Sequence, residues 1–149
     1  MTTMIRPLKA TDRERWVELW QSYLTFYDAT VSAEVTQKTW ERLLTLGVGH
    51  DGLVAVDDAG SVIGITHYLL HASTWSIDGY CYLEDLFVDP DARGKGAATA
   101  LINAVDEAAR AAGCTRLYLM TQTDNTRAQR VYDQLMTKAP FVQYRKALA

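Results

Sequence analysis

Residues Tyr80 to Val88, YCYLEDLFV, form an apolar run that carries two adjacent acids, Glu84 and Asp85. In an extended strand, alternation sends Tyr82, Glu84, Leu86 and Val88 to one face and Leu83, Asp85 and Phe87 to the other. A run that is apolar on both faces belongs at the centre of a sheet, covered on both sides. Each face then holds one carboxylate among apolar neighbours, which is costly unless the charge has a partner or a purpose. One purpose is a general base whose proton affinity is raised by desolvation. The alternative is a structural acid bonded to an arginine or to backbone amides. Both readings stay open for Glu84. Asp85 reads more readily as an acid that orients a loop or a partner side chain.

The run leads into Asp89-Pro90-Asp91-Ala92-Arg93-Gly94-Lys95-Gly96-Ala97-Ala98-Thr99 and from there directly into a helical pattern. Small residues at a helix N-terminus let backbone N–H groups approach an anion, and the helix dipole adds partial positive charge. Arg93 and Lys95 place full charges at the lip, and an arginine can grip phosphate with two parallel hydrogen bonds. Such a turn is a phosphate site, and spacing separates the templates that use one. The G-x-x-x-x-G-K-[ST] of a mononucleotide loop is absent. Gly94-Lys95-Gly96 opens a GxGxxG, but Thr99 stands at the third glycine, and the position about 20 residues on falls near Arg116 rather than at an acid. A third template, Q/R-x-x-G-x-G/A, is met by Arg93, Gly96 and Ala98.

Elements that would position these residues can be read on either side. Met4 to Leu8 suits a first strand, and Thr11-Asp12-Arg13-Glu14 has the form of a capping box. Trp16, Leu19, Trp20, Tyr23, Leu24 and Tyr27 then recur at helical spacing until Asp28 to Ser32 breaks the pattern. A second helix is predicted over Thr36 to Leu46, ended by Gly47 and Gly49. Strands follow at Gly52 to Val56 and Val62 to Leu70, joined across Asp57 to Ser61. Ala72 to Asp78 reads as irregular. After Val88 the period becomes 3.6, with Ala98, Leu101, Ile102, Val105, Ala108, Ala109 and Ala112 on one face and Gly113 as C-cap. Arg116 to Thr121 is predicted as strand, Asn125 to Lys138 as helix stopped by Pro140, and Phe141 to Leu148 as a last strand. Hairpin strands followed by a strand-helix-strand crossover imply an α/β fold of the α+β kind, a mixed sheet with helices on both faces.

The 149 residues and 48% hydrophobic content suit a single domain over 1–149 with its own core. No apolar run approaches the ~20 residues of a membrane span, and the N-terminal stretch has no secretory pattern, so a soluble, cytoplasmic protein without a membrane partner is expected. A net charge of -3 offers no basic stripe for nucleic acid and suits a small cationic substrate. Cys81 and Cys114 have no metal-like spacing and read as free thiols. His50, His67 and His71 have no ligand spacing either, so no metal is predicted. Cys81 has no histidine placed near it by a motif, which makes it a poor nucleophile.

The stretch Tyr82 to Thr99, YLEDLFVDPDARGKGAAT, closely resembles the GNAT superfamily of N-acetyltransferases. The likeness runs from Tyr80 to Thr121 as strand, turn, helix and strand, and continues toward Leu148. YLEDLFV is most similar to the polyamine and thialysine acetyltransferases and to the yeast histone and polyamine acetyltransferase branch. The resemblance implies acetyl-CoA as co-substrate, with its pyrophosphate on Arg93, Gly94, Lys95, Gly96, Ala97, Ala98 and Thr99. It further implies that the pantetheine arm pairs with Leu86, Phe87 and Val88, the Val88 N–H lying near the thioester oxygen. A fixed donor at a developing oxyanion is typically worth ~3 kcal/mol. Thr123 to Tyr132 matches the family's Asn, Ala, Tyr pattern, so Asn125 would bond the cofactor arm and Tyr132 would protonate the departing thiolate. Periodicity alone puts Tyr132 in an apolar stripe with Ala128, Val131 and Leu135.

A primary amine with pKa near ~10.4 is free base in only about one molecule per few thousand at neutral pH, so a proton must be removed. Glu84, directly or through water, is the candidate base. The expected reaction is direct acetyl transfer to a primary amine of a small cationic acceptor, a polyamine or lysine-like molecule. Tyr27, Asp28, Glu34 and Asp85 are its candidate contacts. Protein or histone lysine, or an N-terminus, is the alternative acceptor, and a non-catalytic acyl-CoA sensor is the rival from another class. One departure stands out: Lys138-Ala139-Pro140 replaces the family's usual Gly-Phe, leaving sequence for one final strand only. The missing acceptor wall is therefore expected from a second subunit, in a homodimer.

Overall fold

A computed structural model describes residues 3–149. The elements are β1 (Met4–Pro7), α1 (Arg13–Phe26), α2 (Ala33–Leu43), β2 (His50–Val56), β3 (Val62–Ser73), β4 (Ser76–Val88), α3 (Ala97–Ala111), β5 (Leu117–Tyr118) and α4 (Thr126–Leu135). The strands form one sheet in sequence order, antiparallel from β1 to β4, with β5 parallel to β4. α3 supplies the crossover that a parallel neighbour requires. This is the mixed α/β architecture expected from the sequence. Among the described residues no helix is long and apolar enough to cross a membrane.

Both faces of the sheet are covered by apolar stripes. On one face Trp16, Leu19, Trp20 and Leu24 of α1 and Trp40 of α2 pack on Val54, Val56, Ile65 and Phe87. On the other, Ala97, Leu101, Ile102, Val105 and Ala109 of α3 pack on Ala55, Ile63, Leu83 and Val88. Complete burial of residues such as Trp16, Leu101 and Val105 supplies most of the driving force for the fold. Polar links set the helix positions: Trp20 Nε1–H donates to Thr36 Oγ1 at 3.1 Å, joining α1 to α2. Arg15 donates to the Val62 carbonyl at 2.9 Å and to Asp89 Oδ2 at 2.6 Å, tying α1 to the exit of β4.

Several local expectations are corrected. Thr11 and Glu14 do not form a capping box; a 3-10 turn, Ala10–Asp12, comes first. Asp12 there accepts from the Lys9 N–H at 2.8 Å and pairs with Arg6. The second helix starts earlier than its apolar pattern, at Ala33, because Ser32 caps it through the Val35 N–H at 3.1 Å. Residues 72–78 are not irregular: β3 and β4 continue to a Ser73–Ser76 pair, as cross-strand backbone bonds extend the hairpin beyond its apolar stretch. The predicted strand over 116–121 shrinks to Leu117–Tyr118, and 141–148 forms no strand.

The Arg6–Asp12 pair anchors the chain's entry into α1, and Asp12 is only 7% exposed. Its hydrogen bond from Arg6 holds the Asp12 carboxyl below the usual carboxylate range. Asp12→Asn is expected to cost about 1–3 kcal/mol at neutral pH by urea unfolding. A depressed folded pKa contributes stability that is present above the unfolded value and lost as pH falls through the folded one. The gap between variant and wild type should therefore close below about pH 4.

Candidate active site

β4 and β5 are paired only at Cys81–Leu117 and Tyr82–Tyr118. Beyond Tyr82 they part, leaving the outer backbone edge of β4 without a strand partner. The Asp89 N–H donates to the Ile63 carbonyl on the β3 side at 2.8 Å. Alternation then turns the Val88 N–H the other way, into the opening between the strands. That opening is a cleft of about 540 Å³.

Leu86, Phe87 and Val88 form one wall, and the turn after β4 forms the floor with Arg93, Gly94, Gly96, Ala97, Ala98 and Thr99. Gly94 and Gly96 have φ of 83° and 80°, and Gly96 caps α3 in the left-handed region. Nothing lies within 4 Å of a Cβ placed on either, so the turn needs glycine for its backbone angles rather than for room. The Ala100 N–H makes a helical bond to the Gly96 carbonyl, which leaves the N–H groups of Ala97, Ala98 and Thr99 without intrahelical partners. The Arg93 guanidinium is held over the Phe87 ring, 5.5 Å from its centre, and donates to the Val88 carbonyl at 3.2 Å. Lys95 is exposed and does not line the cleft.

The far wall is α4. Asn125 caps it, its Oδ1 accepting the Ala128 N–H at 3.3 Å, and the residue lines the cleft with its amide NH2 not used by the cap. Tyr132 lines the cleft and also packs against the core under α3, so the apolar stripe and the site share one residue. Burial pushes its phenol up to about 12, with Tyr27 adding to the effect. It is a neutral proton donor throughout the physiological range.

The two acids are arranged differently from simple alternation. Pairing between β3 and β4 slips at His67–Tyr68, where His67 faces Asp85 and Tyr68 faces Leu83. Glu84 is the extra residue of a β-bulge. Leu83 before it and Leu86 and Val88 after it all contact the α3 side, while Asp85 and Phe87 contact residues of the α1 side. The slip therefore puts Glu84 and Asp85 on the same face. Glu84 is also exposed rather than enclosed. Its carboxyl still lies close enough to protein for lost hydration, and then the Asp85 charge, to raise its pKa.

Neither acid lines the cleft, but aromatic rings connect them to it. The Tyr23 hydroxyl donates to the Glu84 carbonyl at 3.4 Å. The Tyr23 ring meets Tyr27 with centres 5.0 Å apart, and Tyr27 lines the cleft with Tyr132. Asp28 follows on an exposed turn with φ of 51°, and Glu34 is exposed in the first turn of α2; neither reaches the cleft.

Over residues 13–136 the chain matches the acetyltransferase (GNAT) family. The chain belongs to this family. It is 32% identical over 144 residues to a D-amino-acid N-acetyltransferase of Saccharomyces cerevisiae, covering 96% of this chain and 89% of the yeast protein. A thialysine N-epsilon-acetyltransferase of Bos taurus is 38% identical over 74 residues, 50% of this chain and 43% of that one. Among solved structures, an aminoglycoside N-acetyltransferase in complex with CoA superimposes with a TM-score of 0.83 at 23% identity, covering 99% and 96% of the two chains.

A GNAT N-acetyltransferase uses acetyl-CoA as co-substrate, and the cleft suits that molecule in kind. It offers free N–H groups and arginine charge at one end and an unpaired strand edge along its length. The acetyltransferase has a second cation there that the sequence motif does not mark. Arg127 of α4 lines the cleft and is near enough to Arg93 for its charge to lower that residue's pKa, second to burial. Neither arginine is in a salt bridge among the described residues. Arg127 follows Asn125 by two positions, so its proximity to Arg93 arises only when α4 closes over the turn. Asp89 acts on Arg93 from a distance and Asp124 lines the cleft, but neither is in a salt bridge with the two arginines, and two like charges left unpaired in this way suit a polyanion. Arg127→Ala is expected to raise the Kd for CoA about tenfold by calorimetry at low salt, with a smaller effect at high salt.

Proposed function

We propose that this acetyltransferase transfers acetyl from acetyl-CoA to a primary amine of a small cationic acceptor by direct attack, without a covalent enzyme intermediate. The carrying observation is the bulge that sets Glu84 and Asp85 on one face, linked through Tyr23 and Tyr27 to Tyr132. Two adjacent carboxylates beside aromatic rings form a surface for an ammonium group. In this reading Glu84, with its raised pKa, takes the proton from the attacking nitrogen, directly or through water. The Val88 N–H donates to the carbonyl oxygen as negative charge develops, and Tyr132 gives its proton to the departing sulfur. Arg93, Arg127, the N–H groups at the start of α3 and Asn125 hold the CoA portion. The relatives acting on thialysine and D-amino acids support small free amines as acceptors. Cys81 has no part: its thiol is fully buried, and burial pushes it up to about 12.

Tyr132→Phe should lower kcat about a hundredfold or more with little change in Kd for acetyl-CoA. CoA release measured across polyamines, lysine analogues, D-amino acids and lysine peptides should be greatest for a small diamine or lysine-like compound. Release with peptides alone would transfer the acceptor to proteins, and binding without release for any amine would make the chain a sensor.

We further propose that the working form is a homodimer. Residues 136–149 form neither helix nor strand, and Phe141, Val142, Tyr144 and Leu148 are 80–94% exposed. This arm runs beside β5, where Gln143 Nε2 reaches Met120 Sδ at 2.9 Å, and β5 is the edge of the sheet. An exposed apolar arm beside an open sheet edge is suited to pairing with a second copy of the chain. Light scattering should give a dimer, and Phe141→Glu with Tyr144→Glu should give a monomer with reduced amine turnover. A fully active wild-type monomer at micromolar concentration would remove this proposal.

A further inference from the structure

Behind the acid pair lies a buried chain of polar contacts that the transfer chemistry does not itself require. Trp16 Nε1 lies 2.9 Å from His67 Nε2, and His67 Nδ1 lies 2.8 Å from Asp85 Oδ2. Trp16 is 0% and His67 3% exposed, whereas the Asp85 side chain is 13% exposed. The chain thus leads from the core under α1 out to the bulge. Its direction follows from chemistry. An indole N–H only donates, so His67 Nε2 must offer its lone pair. The ring proton is then on Nδ1, where it donates to Asp85. A second proton on Nε2 would point at the indole N–H in a site closed to solvent.

Asp85 is held from other sides too. Thr66 Oγ1, fully buried, donates to the Asp85 carbonyl at 2.7 Å and fixes the backbone at the slip. The Tyr23 hydroxyl faces Asp85, and burial together with that charge raises the pKa of the phenol. No described lysine or arginine pairs with Asp85. Its charge is therefore met by the imidazole N–H, with the Tyr23 phenol beside it, and no cationic side chain of lysine or arginine cancels it.

We propose that His67 and Trp16 are positioning residues for the acid pair: the indole sets the imidazole tautomer, and the imidazole holds an uncancelled Asp85 charge beside Glu84. The proposal rests on the reading of Glu84 as base. A fixed negative charge next to that base strengthens its hold on the proton it receives, and it attracts the ammonium form of the acceptor. The groups facing Glu84 are Asp85 and Tyr82 of β4, His67 of β3, Tyr23 of α1 and Tyr118 of β5, with Arg145 of the arm beyond Tyr82. Asp85 is the acid among them. A histidine free to take two protons in this position would form an ion pair with Asp85 and cancel its charge.

The test has a spectroscopic and a kinetic part. In wild-type protein labelled at histidine nitrogen, the resonances of neutral His67 should show the proton on Nδ1 and Nε2 bare. A proton on Nε2 overturns the proposal. In the pH profile of kcat/KM, Asp85→Asn should move the acid limb down by about one unit, because loss of a neighbouring negative charge lowers the pKa of the base. Trp16→Phe should move it the same way, because the imidazole is then no longer held in one tautomer. His67→Gln, whose amide can accept from the indole and donate to Asp85, should keep the wild-type limb, whereas His67→Leu should not. Kd for acetyl-CoA should be unchanged in all four. If the Asp85→Asn limb stays at the wild-type position while Glu84→Gln abolishes the limb, the relay is overturned and the base reading survives. If Glu84→Gln keeps the limb, the base reading falls and takes the kinetic role of the relay with it, leaving the His67 tautomer as a purely structural result. The wild-type resonances test the tautomer directly and keep the proposal open to refutation even where a variant fails to fold.

Discussion

Backbone hydrogen bonding along β4 is the constraint from which the site follows. A central strand needs partners on both edges, and β4 has them on the β3 side along its length apart from slips at Glu84 and near its start, but on the β5 side only as far as Tyr82. From Leu83 to Val88 the outer edge is left to be satisfied by something other than a strand. The cleft exists because β5 turns away, α4 closes its far side, and α3 starts at its floor with three unpaired N–H groups. The cleft thus presents mainly main-chain donors, with Arg93 and Arg127 adding charge at one end.

The opening of the sheet and the bulge in β4 occur within two residues of each other, and they divide the chemistry. Below the bulge the face toward α3 is packed shut by Cys81 and Leu83. Above it Leu86 and Val88 line or border the cleft. At the bulge itself the acids turn toward α1, where Tyr23 and Tyr27 carry contact across to Tyr132. Aromatic packing of α1 therefore has two roles: it fills the core through Trp16 and Trp20, and one turn later it bridges the acids to the cleft.

Much of this was legible in the sequence. The Arg93 to Thr99 spacing located the floor, the helical period after Val88 located α3, and the order of strands and crossover led to the mixed sheet. What failed had physical reasons. Period-2 reading cannot register a slip, because the extra residue is recognised only when β3 is set against β4; hence Glu84 and Asp85 were assigned to opposite faces. The β3–β4 hairpin outran its apolar residues because backbone pairing does not depend on them. Phe141 to Leu148 has strand composition but no strand, since composition does not supply a neighbouring edge. The roles of His67 and Arg127 were hidden for the same reason: each depends on a residue distant in sequence, Trp16 in one case and Arg93 in the other.

The bulge also sets which kinds of change this strand can absorb. A substitution at Glu84 alters one exposed side chain and leaves its neighbours packed as they are. Loss of the residue would restore continuous pairing with β3 and leave Leu83, Asp85, Leu86, Phe87 and Val88 on the faces they already occupy. The packing on either side of the strand therefore does not require the bulge. What a one-residue deletion would remove is the second carboxylate beside Asp85, so chains with and without the extra residue can share this core and differ in the acid pair.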